Sequence, residues 1–446
     1  MMSVVEDLAE FAVSLDAGSL PERIRERARV CVLNGVGMAL AGTRVPHVAT
    51  ARQAALAMEG GMPGPATVLG GGRRTGIAGA ILANATLFHA RTQDDTCGAA
   101  HFGATLLPLL INLLEVRGLP SAVLLPALVA GYEVGGALEL HGAASSSRNG
   151  FRASSIYGAV AAAAAAAKAI GLGARETAAA IANAMSFAGG SVVAFSEGSD
   201  EWRYQLGIAA LNGLQAACLA EAGSRSARSA TEARGGFLEI FCRETLDVGA
   251  ITASLGADWA LDRVMFKPFP VCAFNQGPVQ AALELAPHVE GVGIVRAELR
   301  MNPAEATYAG MDCRGPFSTL SATLMSAPFC VARTLIHGTP SIAEMQQFDD
   351  AGVNALAGRI DLVADADIPR LCCELKITTA AGAHAYVRMV RQAADYSYGI
   401  DATEELIGSV FRTEGIDDAI LQRLVRFVEH MERSEICDVV GLFRAT

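Results

Sequence analysis

The densest group of reactive side chains lies in residues 93–101 (QDDTCGAAH), which combine two carboxylates, a hydroxyl and an imidazole. The apolar run Ala104–Val116 predicts a buried helix, so this group lies in the loop that precedes it. A carboxylate beside an imidazole suits acid–base catalysis, because the carboxylate can orient the ring. Helix N-termini also favour carboxylates electrostatically, which is an alternative reason for Asp95. For His101 the alternative is a partly buried structural histidine.

Two further polar segments precede apolar helices in the same way. Residues 150–155 (GFRASS) contain Arg152, and residues 196–205 (SEGSDEWRYQ) contain Arg203 and Gln205. If the helices begin on one side of a bundle, the polar segments converge on a single pocket. Arginine would there bind carboxylates through its planar, bidentate guanidinium.

The composition sets limits on the class of protein. A chain of 446 residues is long enough for two or three domains. Hydrophobic residues make up 52% and charged residues 18%, which indicates extensive burial in a core or a subunit interface. The formal net charge of −11 disfavours nucleic acid and anionic membranes as partners. An anionic substrate would therefore need a local cationic pocket.

The sequence favours a cytoplasmic protein without a membrane-spanning segment. No apolar run reaches the roughly 18 residues that spanning requires. Glu6 and Asp7 stand where a secretory signal would be cationic. The ten cysteines include no C-x-x-C pair, which argues against a zinc ribbon. The spacing of Asp94, Asp95 and His101 matches no standard zinc or iron pattern, so neither a metal nor a cofactor is predicted.

Two kinds of periodicity divide the chain. Helical patterns dominate residues 1–264 and return in 392–446, whereas residues 265–391 combine helices with strand-like segments at 292–301 and 375–390. The predicted fold is therefore a mainly α large domain, a helical bundle, with a smaller α+β lid domain at 265–391.

Local composition adds three expectations. Seven consecutive alanines at 161–167 predict a smooth helix at the centre of the bundle, since alanine is the best helix former. Residues 43–75 are predicted to be an irregular linking region that ends in a turn or hairpin at 70–74. Residues 142–148 (GAASSSR) are predicted to be a loop.

Taken in order, these segments resemble the MmgE/PrpD family, which includes 2-methylcitrate dehydratase, cis-aconitate decarboxylase and iminodisuccinate epimerase. The resemblance covers nearly the whole chain. It implies a helical domain with an α+β lid, a metal-free site, a homodimer and small di- or tricarboxylate substrates. The segments that carry it are Asp94-Asp95-Thr96 with His101, 150–158, 207–213 (GIAALNG), 267–272 (KPFPVC) and 317–338.

The resemblance also implies roles for individual residues. Asp94, Thr96 and His101 match the acidic loop and first catalytic histidine of the family. Lys267 matches the active-site lysine that precedes a Pro-x-Pro turn. His101 and Lys267 would be the acid and the base at a carbon next to a carboxylate, with the assignment between them left open.

Three positions depart from the family pattern. Arg152 stands where dehydratase-like and decarboxylase-like members have a second histidine, Trp202 replaces a lysine, and Gln205 replaces a histidine. With two proton-transfer groups missing, the sequence favours an epimerase that abstracts a proton next to a carboxylate. A lyase is the alternative, and a non-catalytic carboxylate-binding homologue is the second alternative.

The candidate residues fall into catalytic and substrate-binding groups. The catalytic candidates are His101, Lys267 and Asp94. The structural alternatives are a surface position at a domain hinge for Lys267, a structural ion pair for Arg152 and a core position for the Cys272 thiol. The substrate-binding candidates are Thr96, Arg152, Arg203, Gln205, Cys272 and Gln276.

Overall fold

A computed structural model describes residues 2–244 and 246–444. The protein is mainly helical, with 59% helix and 9% strand, as the sequence predicts. The chain divides into two compact units. Unit 1 comprises residues 1–191, 203–266 and 397–446, and unit 2 comprises 192–202 and 267–396. Residues 192–202 thus belong to unit 2, although the sequence pattern assigns them to the helical domain. That unit 2 acts as a lid stays a prediction.

Unit 1 is a helical assembly with two short antiparallel strand pairs. Its strands are β1 (Ala66–Val68) with β2 (Arg73–Thr75), and β3 (Thr96–Cys97) with β4 (Val264–Met265). Its helices are α1 (Val4–Ser14), α2 (Glu22–Ala41), α3 (Pro46–Met58), α4 (Ile77–Phe88), α5 (Phe102–Arg117), α6 (Leu124–Arg148), α7 (Ala153–Ala169), α8 (Ala174–Phe187), α10 (Glu201–Glu221, whose first two residues belong to unit 2), α11 (Phe237–Cys242), α12 (Val248–Ala253), α19 (Ile400–Glu414), α20 (Asp418–Glu429) and α21 (Ile436–Leu442).

The alanine-rich helix α7 lies at the centre of unit 1. It packs against α5, α6 and α8, and all seven alanines of 161–167 are fully buried. Helix α10 also approaches α7 closely: a Cβ at Gly213 would lie 2.4 Å from the Cβ of Ala162. Small side chains on both helices therefore permit near backbone contact, as the alanine run predicts.

Two predicted irregular segments contain helix. Helix α6 continues to Arg148 through the predicted loop at 142–148, because Ser145 and Ser146 are buried and the Ser146 hydroxyl bonds the Ala143 carbonyl. Tertiary packing there outweighs the weak helix propensity of serine. In 43–75, α3 forms with Pro46 in its first turn, and the hairpin β1–β2 follows as predicted.

Helix α6, with the short 3-10 turn before it, is long and apolar enough to cross a membrane by length and composition alone. In its most apolar window 83% of the residues are buried inside the protein. That burial is typical of a core helix in a globular fold.

Unit 2 contains a four-stranded sheet in the order β6-β5-β7-β8. Strands β5 and β6 are parallel, and the other neighbours are antiparallel. Its strands are β5 (Ile294–Met301), β6 (Ile360–Ala364), β7 (Cys373–Thr379) and β8 (His384–Met389). Its helices are α9 (Val193–Glu197), α13 (Gln276–Val289), α14 (Pro303–Ala306), α15 (Leu320–Met325), α16 (Ala327–His337), α17 (Ile342–Met345) and α18 (Ala351–Ala357).

Candidate active site

The polar loop joins α4 to α5. His89 ends α4 as its C-cap, and His101 is the N-cap of α5. Between them the backbone of Thr96 pairs with Met265 of β4, and Cys97 bridges to Ala100 across a tight turn. Both ends of the loop are thus held by helices, and its middle is held by β4. The loop is placed where the sequence predicts it.

Asp94 lies between two imidazoles. Its Oδ2 is 2.9 Å from Nδ1 of His101 and 3.0 Å from Nδ1 of His89. Nδ1 of His101 also lies 3.0 Å from the backbone oxygen of Asp95. Asp94 and His89 are each 1% exposed, whereas His101 is 18% exposed. His101 is therefore the member of this group that reaches the solvent-accessible edge.

Arg152 connects the second polar segment to this loop. It is the N-cap of α7, and its Nη2 lies 2.9 Å from Nε2 of His89. Its Nη1 donates to Oε1 of Gln205 at 3.4 Å, and Gln205 also accepts a hydrogen bond from Ser155. The segments around 94, 152 and 205 therefore converge in unit 1.

The donor and acceptor pattern fixes the protons of the two histidines. A guanidinium carries only donors, so Nε2 of His89 must accept from Arg152. The proton of His89 is then on Nδ1 and is donated to Asp94. Nδ1 of His101 faces two oxygen acceptors, so it also carries a proton. Proton exchange between Nε2 of His101 and a substrate stays a prediction.

Burial keeps His89 neutral. The pKa of His89 falls from 6.5 to about 3, mainly because of burial, with smaller contributions from His101 and Arg152, while Asp94 opposes the shift. At neutral pH the chain from Arg152 to His101 thus contains one permanent cation, one neutral imidazole and a carboxylate that accepts from both imidazoles.

The same three side chains could be considered as a metal site. One ligand atom from each of His89, Asp94 and His101 lies within 4.8 Å of the others. Metal binding through Nδ1 of His89 would place the ring proton on Nε2, where it would face the Arg152 donor at 2.9 Å. The donor set therefore fits a hydrogen-bond network better than a metal.

Arg203 forms a second arginine–histidine contact. Its side chain is fully buried, and its Nη1 lies 3.3 Å from Nε2 of His47 on α3. Burial, with smaller contributions from Arg203 and His89, lowers the pKa of His47 to about 2. The guanidinium groups of Arg152 and Arg203 are thus each held against a neutral imidazole in unit 1.

Two side chains of helix α6 form hydrogen bonds with the polar loop. The hydroxyl of Tyr132 donates to Oδ2 of Asp95 at 2.6 Å. Oε1 of Glu139 accepts from the backbone N–H of Ala99 at 2.7 Å, beside Gly98 in a left-handed conformation. The carboxylate of Asp95 is thus used for support, whereas that of Asp94 contacts His101.

Thr96, a predicted substrate-binding residue, is 2% exposed. Its hydroxyl has no hydrogen-bond partner among residues 2–244 and 246–444. A buried hydroxyl without a partner costs free energy, and a role for Thr96 in binding a ligand atom stays a prediction.

Three predicted site residues belong to unit 2. Lys267 is the first residue of the longer of the two segments of unit 2, 267–396, and it is 3% exposed. Burial raises the pKa of the Cys272 thiol, which argues against a thiolate nucleophile. The Gln276 amide bonds the backbone of Phe269 in both directions and the Val271 carbonyl, so it stabilises the turn after Lys267. The pairing of Lys267 with His101 stays a prediction.

Sequence reasoning missed His89 and His47 as parts of the site. For His89 a signal exists, because an imidazole five residues before Asp94 at a helix end is well placed to reach the loop. For His47 there is none, since it lies 42 residues before His89 in a segment predicted to be irregular.

The chain is similar to a known protein family and to individual proteins of known name. A family model described as the MmgE/PrpD N-terminal domain matches residues 6–247. A cis-aconitate decarboxylase of Aspergillus terreus is 26% identical over 370 residues, which cover 78% of this chain and 74% of that protein. The cis-aconitate decarboxylase-like protein oryM of Aspergillus oryzae is 31% identical over 301 residues, covering 64% and 61% of the two chains. The human cis-aconitate decarboxylase is 29% identical, with coverage of 65% and 61%.

Proposed function

The chain belongs to the MmgE/PrpD family and is an enzyme of the isomerase or lyase type, and from this premise we propose that it is a lyase acting on a small polycarboxylate. The sequence alone favours an epimerase, with a lyase as the alternative. The names of the three relatives support that alternative. Among lyase reactions we propose decarboxylation, with dehydration as the second candidate.

One observation carries the proposal: Nδ1 of His101 lies 2.9 Å from Oδ2 of Asp94, and the His101 side chain is 18% exposed. A carboxylate that orients an imidazole stabilises the imidazolium form and fixes the direction of proton transfer. This arrangement supports a proton donor or acceptor at Nε2.

The chemistry can be balanced with this one group. In decarboxylation, the bond between carbon and the departing carboxylate breaks, CO2 leaves, and the electron pair stays on the substrate carbon. Protonated His101 then delivers its Nε2 proton to the carbon framework and becomes neutral. Negative charge on the remaining carboxylates needs cations nearby, and we propose Arg152 and Arg203 of unit 1 for this task.

Arg152 occupies the position of the second histidine found in dehydratase-like and decarboxylase-like family members. Because a guanidinium is always protonated, Arg152 stabilises negative charge but transfers no proton at neutral pH. A reaction that needs only one proton-transfer group, such as decarboxylation, fits this site better than one that needs an acid and a base on opposite faces.

The proposal is tested by incubating the protein in deuterated buffer with citrate, 2-methylcitrate, cis-aconitate, malate and iminodisuccinate while recording proton NMR spectra. A new vinyl signal with released CO2 supports the decarboxylase, and a vinyl signal without CO2 supports the dehydratase. Deuterium incorporation next to a carboxylate without a new alkene would return the function to an epimerase. No change with any of the five would favour a non-catalytic carboxylate-binding protein, which ligand-detected NMR would then reveal.

We further propose that the protein is a cytoplasmic homodimer. Unit 1 exposes large apolar side chains on neighbouring helices, with Phe187 38%, Ile208 47% and Leu219 45% exposed. Asn212 of α10 bonds the Phe187 carbonyl, so these side chains share one surface. Light scattering coupled to size-exclusion chromatography tests this, and a mass near twice 46.3 kDa is expected.

A further inference from the structure

Asp94 accepts hydrogen bonds from two imidazoles on the same oxygen. Oδ2 is 3.0 Å from Nδ1 of His89 and 2.9 Å from Nδ1 of His101, and the two rings lie 5.0 Å apart between centroids. The oxygen that orients His101 is therefore shared with a second histidine, which is itself bound by Arg152 at 2.9 Å.

We propose that His89 is a positioning residue for the reaction: bound by Arg152, it holds the Asp94 carboxylate in the orientation that aims the His101 ring at the substrate. This inference rests on the proposed function in one respect, namely that His101 transfers the proton. His89 itself is buried behind Asp94 and is not assigned any contact with the substrate.

The geometry explains why a second imidazole is needed. Without His89 the Asp94 carboxylate would lose one of the hydrogen bonds that fix its orientation, and the direction of the His101 ring would then be less well defined. Arg152 is fixed at the start of α7, where its backbone N–H donates to the Gly190 carbonyl. A donor on a helix end, an imidazole with one permitted tautomer and a buried carboxylate thus form a rigid sequence that ends at His101.

His89 also moderates the charge that Asp94 presents to His101. A hydrogen bond from His89 to Oδ2 stabilises the carboxylate and weakens its attraction for the imidazolium of His101. Removing that donor should therefore raise the pKa of His101. Within the described part of the chain, the charged or titratable groups that act on the His89 ring include Asp94 and His101 of the same loop and Arg152 at α7. His89 in turn lowers the pKa of His47 of α3, which contacts Arg203 of α10.

Two substitutions separate the two hydrogen bonds of His89. In His89→Asn the amide nitrogen takes the place of Nδ1 and still donates to Asp94, but the acceptor for Arg152 is lost. In His89→Gln the amide oxygen takes the place of Nε2 and still accepts from Arg152, but the donor to Asp94 is lost. We expect His89→Gln to lower kcat about tenfold, a fraction of what acid–base catalysis contributes. Its pH–rate inflection should move upward, whereas His89→Asn should keep the inflection of the unchanged protein.

A second measurement does not depend on turnover. The protein has eight histidines, and selective 15N labelling reports the tautomer and titration of each ring. The unchanged protein should show His89 as a neutral Nδ1–H tautomer from pH 5 to 9, and His101 should titrate at higher pH in His89→Gln than in His89→Asn. His430→Gln, at an exposed position, serves as the matched control and should change neither signal.

The outcomes distinguish this inference from the proposed function. If no carboxylate is turned over but the tautomer and the His101 titration behave as stated, the positioning role stands and the proposed reaction falls. An Nε2–H tautomer at His89, or equal His101 titration in both variants with only folding stability changed, would overturn the positioning role.

Discussion

The Tyr132 hydroxyl donates a hydrogen bond of 2.6 Å to Oδ2 of Asp95, and both side chains are fully buried. The adjacent carboxylates of Asp94 and Asp95 therefore have different partners: one contacts imidazoles and the other contacts a phenol on α6. Because the backbone oxygen of Asp95 also lies 3.0 Å from Nδ1 of His101, the phenol supports the His101 ring indirectly.

Replacing Tyr132 with phenylalanine should cost both stability and activity. The variant removes a hydrogen bond to a buried carboxylate, which contributes about 1.5–3 kcal/mol to the free energy of unfolding. Urea denaturation measures this loss, and initial rates measure the displacement of His101. Tyr386→Phe is the matched control, because its side chain is 54% exposed and should tolerate the change. Equal unfolding free energies for the two variants would contradict the supporting role.

Gly98 should be far less tolerant of alanine than a glycine with the same backbone angle elsewhere. Its φ is 59°, and a Cβ there would lie 2.3 Å from Oε1 of Glu139, the oxygen that accepts from Ala99. Gly60 has a φ of 61°, and a Cβ added there would have no described atom within 4 Å. Both changes carry the left-handed strain of about 1–2 kcal/mol. Gly98→Ala should lose a further 1–3 kcal/mol, roughly one buried hydrogen bond, by thermal or urea unfolding. Similar losses would show that the Glu139 contact has no energetic role.

Local patterns identified several residues of the candidate site, but not the contacts between them. Asp94 and His101 were recognisable from composition, and the alanine run located α7, because both signals are contained in a few neighbouring residues. The contact between His89 and Arg152 depends on where the end of α4 lies relative to the start of α7, which no local pattern encodes. The loop predicted at 142–148 was wrong because the serines there are buried by tertiary contacts that composition does not reveal.

Glu133 should make folding stability decrease as pH rises toward neutrality. Burial raises its pKa from 4.5 to about 7, although the backbone N–H groups of Ala260 and Leu261 and the nearby Arg263 oppose the shift. Between these values the folded state binds a proton that the unfolded state does not, so stability is present below pH 4.5 and is lost as pH rises through 7. The shift corresponds to roughly 3 kcal/mol.

Urea unfolding of Glu133→Gln at several pH values tests this expectation. Whatever its absolute cost, the variant should gain stability relative to the unchanged protein as pH rises from 4.5 to 7. A difference that stays constant across this range would contradict the raised pKa of Glu133.

His47 should have the opposite effect on stability. Its pKa falls from 6.5 to about 2, so below pH 6.5 the unfolded state binds a proton that the folded state excludes. Stability is then complete above pH 6.5 and is lost as pH falls, by about 1.4 kcal/mol for each pH unit. His47→Gln keeps an acceptor for Arg203 but cannot titrate. Its unfolding free energy should therefore decrease less steeply with acid, and parallel curves for the two proteins would contradict this.

Substitutions at His101 and Lys267 decide which residues move protons. His101→Gln keeps a side chain of similar reach but no titrating group, so kcat should fall by about 10²–10⁴-fold while substrate affinity changes less than tenfold. Folding stability should also fall, by about 1.5–3 kcal/mol, because the hydrogen bond from Nδ1 of His101 to the buried Asp94 carboxylate is lost, so kcat is measured where urea unfolding shows the variant to be folded. Lys267→Gln should raise KM more than it lowers kcat if the lysine binds a substrate carboxylate, whereas a large fall in kcat alone would make it the second proton-transfer group.

The pH–rate profile separates a binding role of Lys267 from a proton-transfer role. With His101 as the single titrating group, one inflection should disappear in His101→Gln and persist in Lys267→Gln. Loss of an inflection in Lys267→Gln would instead require two proton-transfer groups and would restore the epimerase as the better function.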